Sequence, residues 1–120
     1  MKNSINNPSD LNKYGKHYSE SGFWDKIRKF AGKIGRDLLY KVMVLYYVMR
    51  SPDVSVRNKM IVIGALGYFI LPVDLIPDWI VGLGMTDDAT AITLAYVAVK
   101  DSITPEIEAR ARGTVQSWVG

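Results

Sequence analysis

The chain of 120 residues contains no cysteine and a single histidine, His17. Without cysteine there is no disulfide framework, no thiolate nucleophile and no thiolate metal site, and the redox compartment stays open. One histidine in a polar stretch excludes a multi-histidine metal centre and a Ser-His-Asp triad. His17 therefore reads as a solvated surface residue. Residues 1–22, MKNSINNPSDLNKYGKHYSESG, lack the apolar core of a cleavable signal peptide and read as a disordered polar leader. No phosphate-cradling glycine loop is present, because Gly82-Leu83-Gly84 sits in an apolar setting and follows no strand.

The net charge of +3 conceals an uneven distribution. Residues 1–22 carry three Lys/Arg against two Asp/Glu, residues 23–60 carry nine against three, and residues 61–120 carry three against seven. A basic segment beside apolar ones fits an anionic lipid surface or a cytoplasmic flank better than a nucleic acid, since no nucleic-acid-binding signature accompanies it.

From Phe23 to about Met49, Phe23, Ile27, Phe30, Ile34, Leu38, Leu45 and Met49 recur at helical spacing. Lys26, Arg28, Lys29, Lys33 and Arg36 occupy much of the remaining surface, as does Lys41. That pattern predicts a basic amphipathic helix able to lie on a membrane, although a surface helix packed on a core has the same pattern. Its second half, LLYKVMVLYYVM, is apolar nearly all round and reads as buried. Gly32 and Gly35 weaken the junction, so two shorter helices are an alternative. Ser51, Pro52 and Asp53 end the segment, and Ser55 is placed to cap the next.

Met60 to Leu71 is apolar apart from the Tyr68 hydroxyl, and Ala89 to Val99 forms a second apolar run. A twelve-residue helix is about 18 Å long, short of the roughly 30 Å of a bilayer core. A single span from Met60 to Met85 would place two prolines and two aspartates in lipid, which is costly. A soluble core hairpin avoids that cost; a hairpin inserted in the membrane needs its irregular turn covered by protein. In either case Arg57, Lys59 and Lys100 share the base of the hairpin. Thr104-Pro105 opens a last helix, with Glu106 and Glu108 early and Arg110 and Arg112 late, as the helix dipole favours. Gly113 is a candidate interruption, and Trp118 packs either on the core or at an interface.

Between the apolar runs lie four aspartates, Asp74, Asp78, Asp87 and Asp88. Pro72 and Pro77 forbid a regular helix there, so Asp74 or Asp78 can accept from backbone N–H groups left free. Thr86 can cap the following helix, putting Asp87 and Asp88 in its first turn. Alternatively the four carboxylates converge on Mg²⁺, Ca²⁺ or Mn²⁺, though without the ligand rhythm of a calcium loop. Pairing with Arg36, Arg50 or Arg57 is a third arrangement. Two carboxylates could serve as acid and base, but short helices leave little room for a substrate cleft.

The wording of Tyr68 to Asp88, YFILPVDLIPDWIVGLGMTDD, resembles the YkvA-like family of small bacterial domains of unknown function. Tyr68, Pro72, Asp74, Leu75, Ile76, Pro77, Asp78, Gly84, Asp87 and Asp88 carry the resemblance, which extends more loosely over about Arg50 to Trp118. Trp79 stands where Phe is usual, and Thr86 where an aliphatic residue is usual. The resemblance implies a helical, membrane-associated domain and brings no established activity.

The expectation is an all-α protein: a small helical bundle with a short apolar helical hairpin and a Pro/Asp-rich connecting turn. Residues 1–22 form the leader, residues 23–119 one helical domain, and residues 68–88 its signature segment. The expected role is non-enzymatic and membrane-associated, as an adaptor, scaffold or integral membrane component, with basic segments facing the cytoplasm. The alternative is a soluble bundle that binds a divalent cation or a basic partner through the aspartates. The lipid membrane is the expected partner, a second copy or another protein is allowed, and nucleic acid is not. No cofactor is expected beyond the divalent cation that the aspartates allow.

Overall fold

The computed structural model describes residues 8–70 and 91–119, which form helices joined by short turns. This is the all-α bundle that the sequence predicts. A 3-10 segment, Pro8–His17, leads into α1, Glu20–Arg50, and then α2, Val56–Phe69. Helix α3 is described over residues 91–98, and the 3-10 turn Lys100–Ser102 joins it to α4, Pro105–Val119.

Helix α1 begins where Ser19 adopts extended backbone and its side chain accepts from the Gly22 N–H at 3.0 Å. It is not one rod. Gly35 has φ of 84° and ψ of 156°, left-handed backbone that a residue with a Cβ rarely adopts. Along a straight helix Phe23 and Tyr46 would stand about 34 Å apart, yet their rings stack with centroids 4.8 Å apart. The chain therefore folds back at Gly35 into two arms, residues 20–34 and 36–50. Of the two glycines expected to weaken the junction, Gly35 makes the break.

The predicted stripe supplies part of the core. Phe23, Ile27 and Leu45 are buried, Leu38 and Met49 are half-buried, and the Phe30 and Ile34 side chains lie outside the described residues. The second arm is buried on most sides, through Leu39, Val42, Met43, Val44 and Val48. Helix α4 packs along it, with the Tyr47 and Thr114 hydroxyls 2.8 Å apart and the Arg110 guanidinium 5.8 Å from the Tyr47 ring. Ile107, Ala111 and Val115 form the buried stripe of α4. Thr104 accepts from the Ile107 N–H at 3.2 Å, as a cap does. Gly113 does not interrupt this helix, because flanking turns are held by core contacts on the opposite face.

Ser55 caps α2, accepting from the Asn58 N–H at 3.2 Å. The Asn58 side chain, itself buried, donates to the Ser102 hydroxyl at 2.8 Å. That bond sets the start of α2 beside the turn after α3, so Arg57, Lys59 and Lys100 lie at one end of the bundle.

Residues 8–17 differ from the expected disordered leader. They form the 3-10 segment packed along α2, and Leu11 is fully buried. The physical reason is the pair Gly64 and Gly67. A Cβ at Gly64 would stand 2.1 Å from the Leu11 carbonyl oxygen, and one at Gly67 would stand 2.0 Å from that of Tyr14. Two missing side chains open a trough in which backbone lies on backbone, and the Tyr14 ring meets Tyr68 edge-on at 4.7 Å. Composition alone marks these residues as polar, but the few apolar ones among them have a prepared seat.

Candidate membrane-facing end of the bundle

Among the described residues, the leader and the first arm of α1 reach the C-terminal end of α2, and each contributes a cation or a clamp. On the first arm of α1, Lys26 is half-buried, and its ammonium donates to the Phe69 carbonyl oxygen and lies 4.8 Å from the Phe69 ring centroid. A lysine on the last carbonyls of a helix satisfies groups with no intrahelical partner and meets the negative end of the dipole. Lys26 thus turns inward from the basic face that the sequence assigns to it. Gly22 sits beside Ile70, where an added Cβ would be 3.3 Å from the isoleucine Cδ1.

Beyond Lys26, Arg28 and Lys29 are exposed, and Arg28 pairs with Asp25 one turn back. The Lys33 side chain lies outside the described residues. Arg36 follows the hinge and belongs to the second arm, where it lines a groove of about 470 Å³ with Asp37, Tyr40, Arg112 and Gln116. The five-residue basic face is therefore divided. A fold-back at Gly35 rotates Arg36 away from the row that a straight helix would keep.

On the leader, Lys16 and His17 are exposed in the last turn of the 3-10 segment. The Tyr14 carbonyl and the Tyr18 N–H both approach Gly67, so the three residues between them, Lys16 and His17 included, pass the last turn of α2. The glycine spacing within an apolar run was the available signal that something packs closely there.

A carboxylate holds these elements together. Glu20 accepts from the Tyr18 hydroxyl at 3.0 Å, from the Trp24 indole N–H at 3.1 Å and from the Tyr46 hydroxyl, with Arg50 at 3.8 Å. The Tyr46 hydrogen bond above all, with those from Trp24 and Tyr18 and the Arg50 charge, outweighs partial burial and lowers the Glu20 pKa. Burial, then the bond to Glu20, raises the Tyr18 and Tyr46 hydroxyls. Trp24 also stacks on Trp118, with centroids 6.1 Å apart, and Trp118 stays 36% exposed. This tryptophan is thus shared between packing and surface. The sequence reading missed Glu20, assigning it to the leader; its place one residue after a serine was the visible cue for a capped helix start.

Asp74, Asp78, Asp87 and Asp88, with Pro72, Pro77, Gly84 and Thr86, lie outside the described residues. Among the described residues no group of three His, Cys, Asp or Glu is arranged to hold a metal ion. None of the described helices is long and apolar enough to cross a membrane.

Residues 58–94 match the model of a family described as "Protein of unknown function (DUF1232)". The chain is also similar to the "Uncharacterized membrane protein YkvA" of Bacillus subtilis (strain 168), at 34% identity over 53 residues. That match covers 44% of this chain and 50% of the relative, so the chain spans about half the length of the curated protein it resembles. No solved structure matches. The family match opens at Asn58, in the first turns of the helix that the leader and Lys26 cover. Through this segment, the chain is similar to a family of unknown function and, over a comparable length, to the YkvA protein.

Proposed function

We propose that this chain is a non-enzymatic, membrane-associated helical protein that serves as an adaptor or scaffold, its basic segments on the cytoplasmic side. One observation carries the reading: the chain is 34% identical over 53 residues to a protein named as a membrane protein, and the family match begins on α2, an apolar helix of 14 residues. Fourteen residues rise about 21 Å, short of a bilayer core of roughly 30 Å. Such a helix favours contact with one face of the membrane over an independent crossing by α2. The short helices favour a non-enzymatic role, since they leave little room for a substrate cleft.

Fractionation tests the reading. Expressed protein is expected in the membrane pellet and to need detergent for release. A monodisperse monomer recovered from the soluble fraction without detergent would sink it and promote a soluble bundle.

A further inference from the structure

Two ends of the bundle carry cations, and they differ in what balances them. At the end where α2 starts, Arg57 and Lys100 are exposed and Lys59 is half-exposed, while Asp53 and Asp101 are also exposed. Neither of these aspartates makes an ion pair among the described residues, so their charge remains in place to offset the cations. At the other end, where α2 stops, the two acids among the described residues, Asp25 and Glu20, both have side-chain partners. Asp25 is paired with Arg28, and Glu20 accepts hydrogen bonds from three side chains. Lys16 on the leader and Lys29 on α1 remain exposed there without an ion pair among the described residues, beside exposed His17.

We propose that Lys16, Arg28 and Lys29, gathered at the C-terminal end of α2 by the docked leader and the first arm of α1, contact the phosphates of an anionic bilayer, so that the chain meets the membrane with this end. The inference rests on the membrane reading above and adds a partner chemistry and an orientation to it. Two observations and one general property of membrane surfaces agree on the assignment. The cations come from two elements that the Gly64–Gly67 trough and the Lys26 clamp fix against the same helix terminus. Lysine and arginine beside a membrane surface each contribute about 1 kcal/mol with anionic lipid, through long side chains that bury their stems and extend their charge. The half-buried Ile70 lies at this terminus, next to Gly22, so apolar surface adjoins the charges.

The test is co-sedimentation of the full chain with vesicles of phosphatidylcholine and phosphatidylserine in equal parts, against vesicles of phosphatidylcholine alone. The triple variant Lys16→Gln/Arg28→Gln/Lys29→Gln is expected to lose about tenfold or more in partitioning to the anionic vesicles, and nothing on the neutral ones. Arg57→Gln/Lys100→Gln, at the opposite end, should change it less than about twofold, since free aspartates already offset those charges. Should the triple variant misfold by circular dichroism, the single changes Lys16→Gln and Lys29→Gln still decide, each expected to cost about fivefold. Wild-type binding that survives the triple change, or that falls equally with the Arg57/Lys100 pair, overturns the orientation and leaves membrane association standing. Wild-type protein that ignores both vesicle types overturns both.

Discussion

The Tyr46 hydroxyl donates to the Glu20 carboxylate, joining the first turn of α1 to a residue near its far end. This bond can exist only because the chain folds back at Gly35. Tyr18 and Trp24 donate to the same carboxylate, so one charged group closes the two arms on each other and on the end of the leader.

That clasp has a pH signature. Glu20 has its pKa lowered on folding, chiefly by the Tyr46 hydrogen bond, so the folded chain holds the ionised form more tightly than the unfolded chain does. The stabilisation is complete above the unfolded value near 4.5 and is lost as pH falls through the lower folded one. Glu20→Gln should flatten the melting temperature against pH on this acid limb. At neutral pH it should cost about 1 kcal/mol or less, because the side chain is half-exposed and screened. An unchanged acid limb would show that another carboxylate sets it.

Two glycines in helices should respond in opposite directions to the same substitution. Gly35→Ala introduces a Cβ into open space but forces it onto left-handed backbone, and is expected to lower stability by about 1–3 kcal/mol. Gly113→Ala adds a Cβ to an ordinary helical position with nothing nearby, and should raise it by about 0.5–1 kcal/mol. Thermal unfolding of the two variants checks both signs.

Gly64→Ala should be damaging within α2, because its Cβ would stand 2.1 Å from the Leu11 carbonyl oxygen. The leader must then leave its seat, exposing Leu11 and the face beneath it. The expected outcome is faster proteolysis within residues 8–18 together with a fall in melting temperature. A variant that melts lower but keeps its leader protected would mean that α2 had shifted instead.

For the aspartates, substitution with and without metal separates the alternatives. If they cap and brace the connection, Asp74→Asn or Asp87→Asn should cost about 0.5–2 kcal/mol whether or not a divalent ion is present. This is the expected result. A rise of several degrees in wild-type melting temperature on adding Mg²⁺, Ca²⁺ or Mn²⁺, abolished in the Asp74→Asn/Asp87→Asn double variant, would instead identify an ion site.

The helices were legible because each was written locally. Ser55 and Thr104 marked helix starts, and the stripe Phe23, Ile27, Leu45 marked a buried face. The break at Gly35 was legible only as an alternative, since glycine permits left-handed backbone without requiring it. The order of the leader was not legible in its own residues. Its order depends on a trough that belongs to α2, and a polar stretch carries no sign of a distant partner. For the same reason the basic face was read as continuous, whereas Lys26 turns to the Phe69 carbonyl and Arg36 falls on the other arm.

The seating of the leader on α2 also bears on how the chain emerges during synthesis. Translation delivers residues 8–50 before α2, so when this apolar helix leaves the ribosome its cover and its clamp already exist. Contacts between Leu11 and Gly64 are distant along the chain and slow to form in a refolding experiment started from the whole polypeptide, where unprotected apolar helices can meet one another first. Growth from the amino terminus reverses that order, giving each new α2 a partner within its own molecule before it meets another.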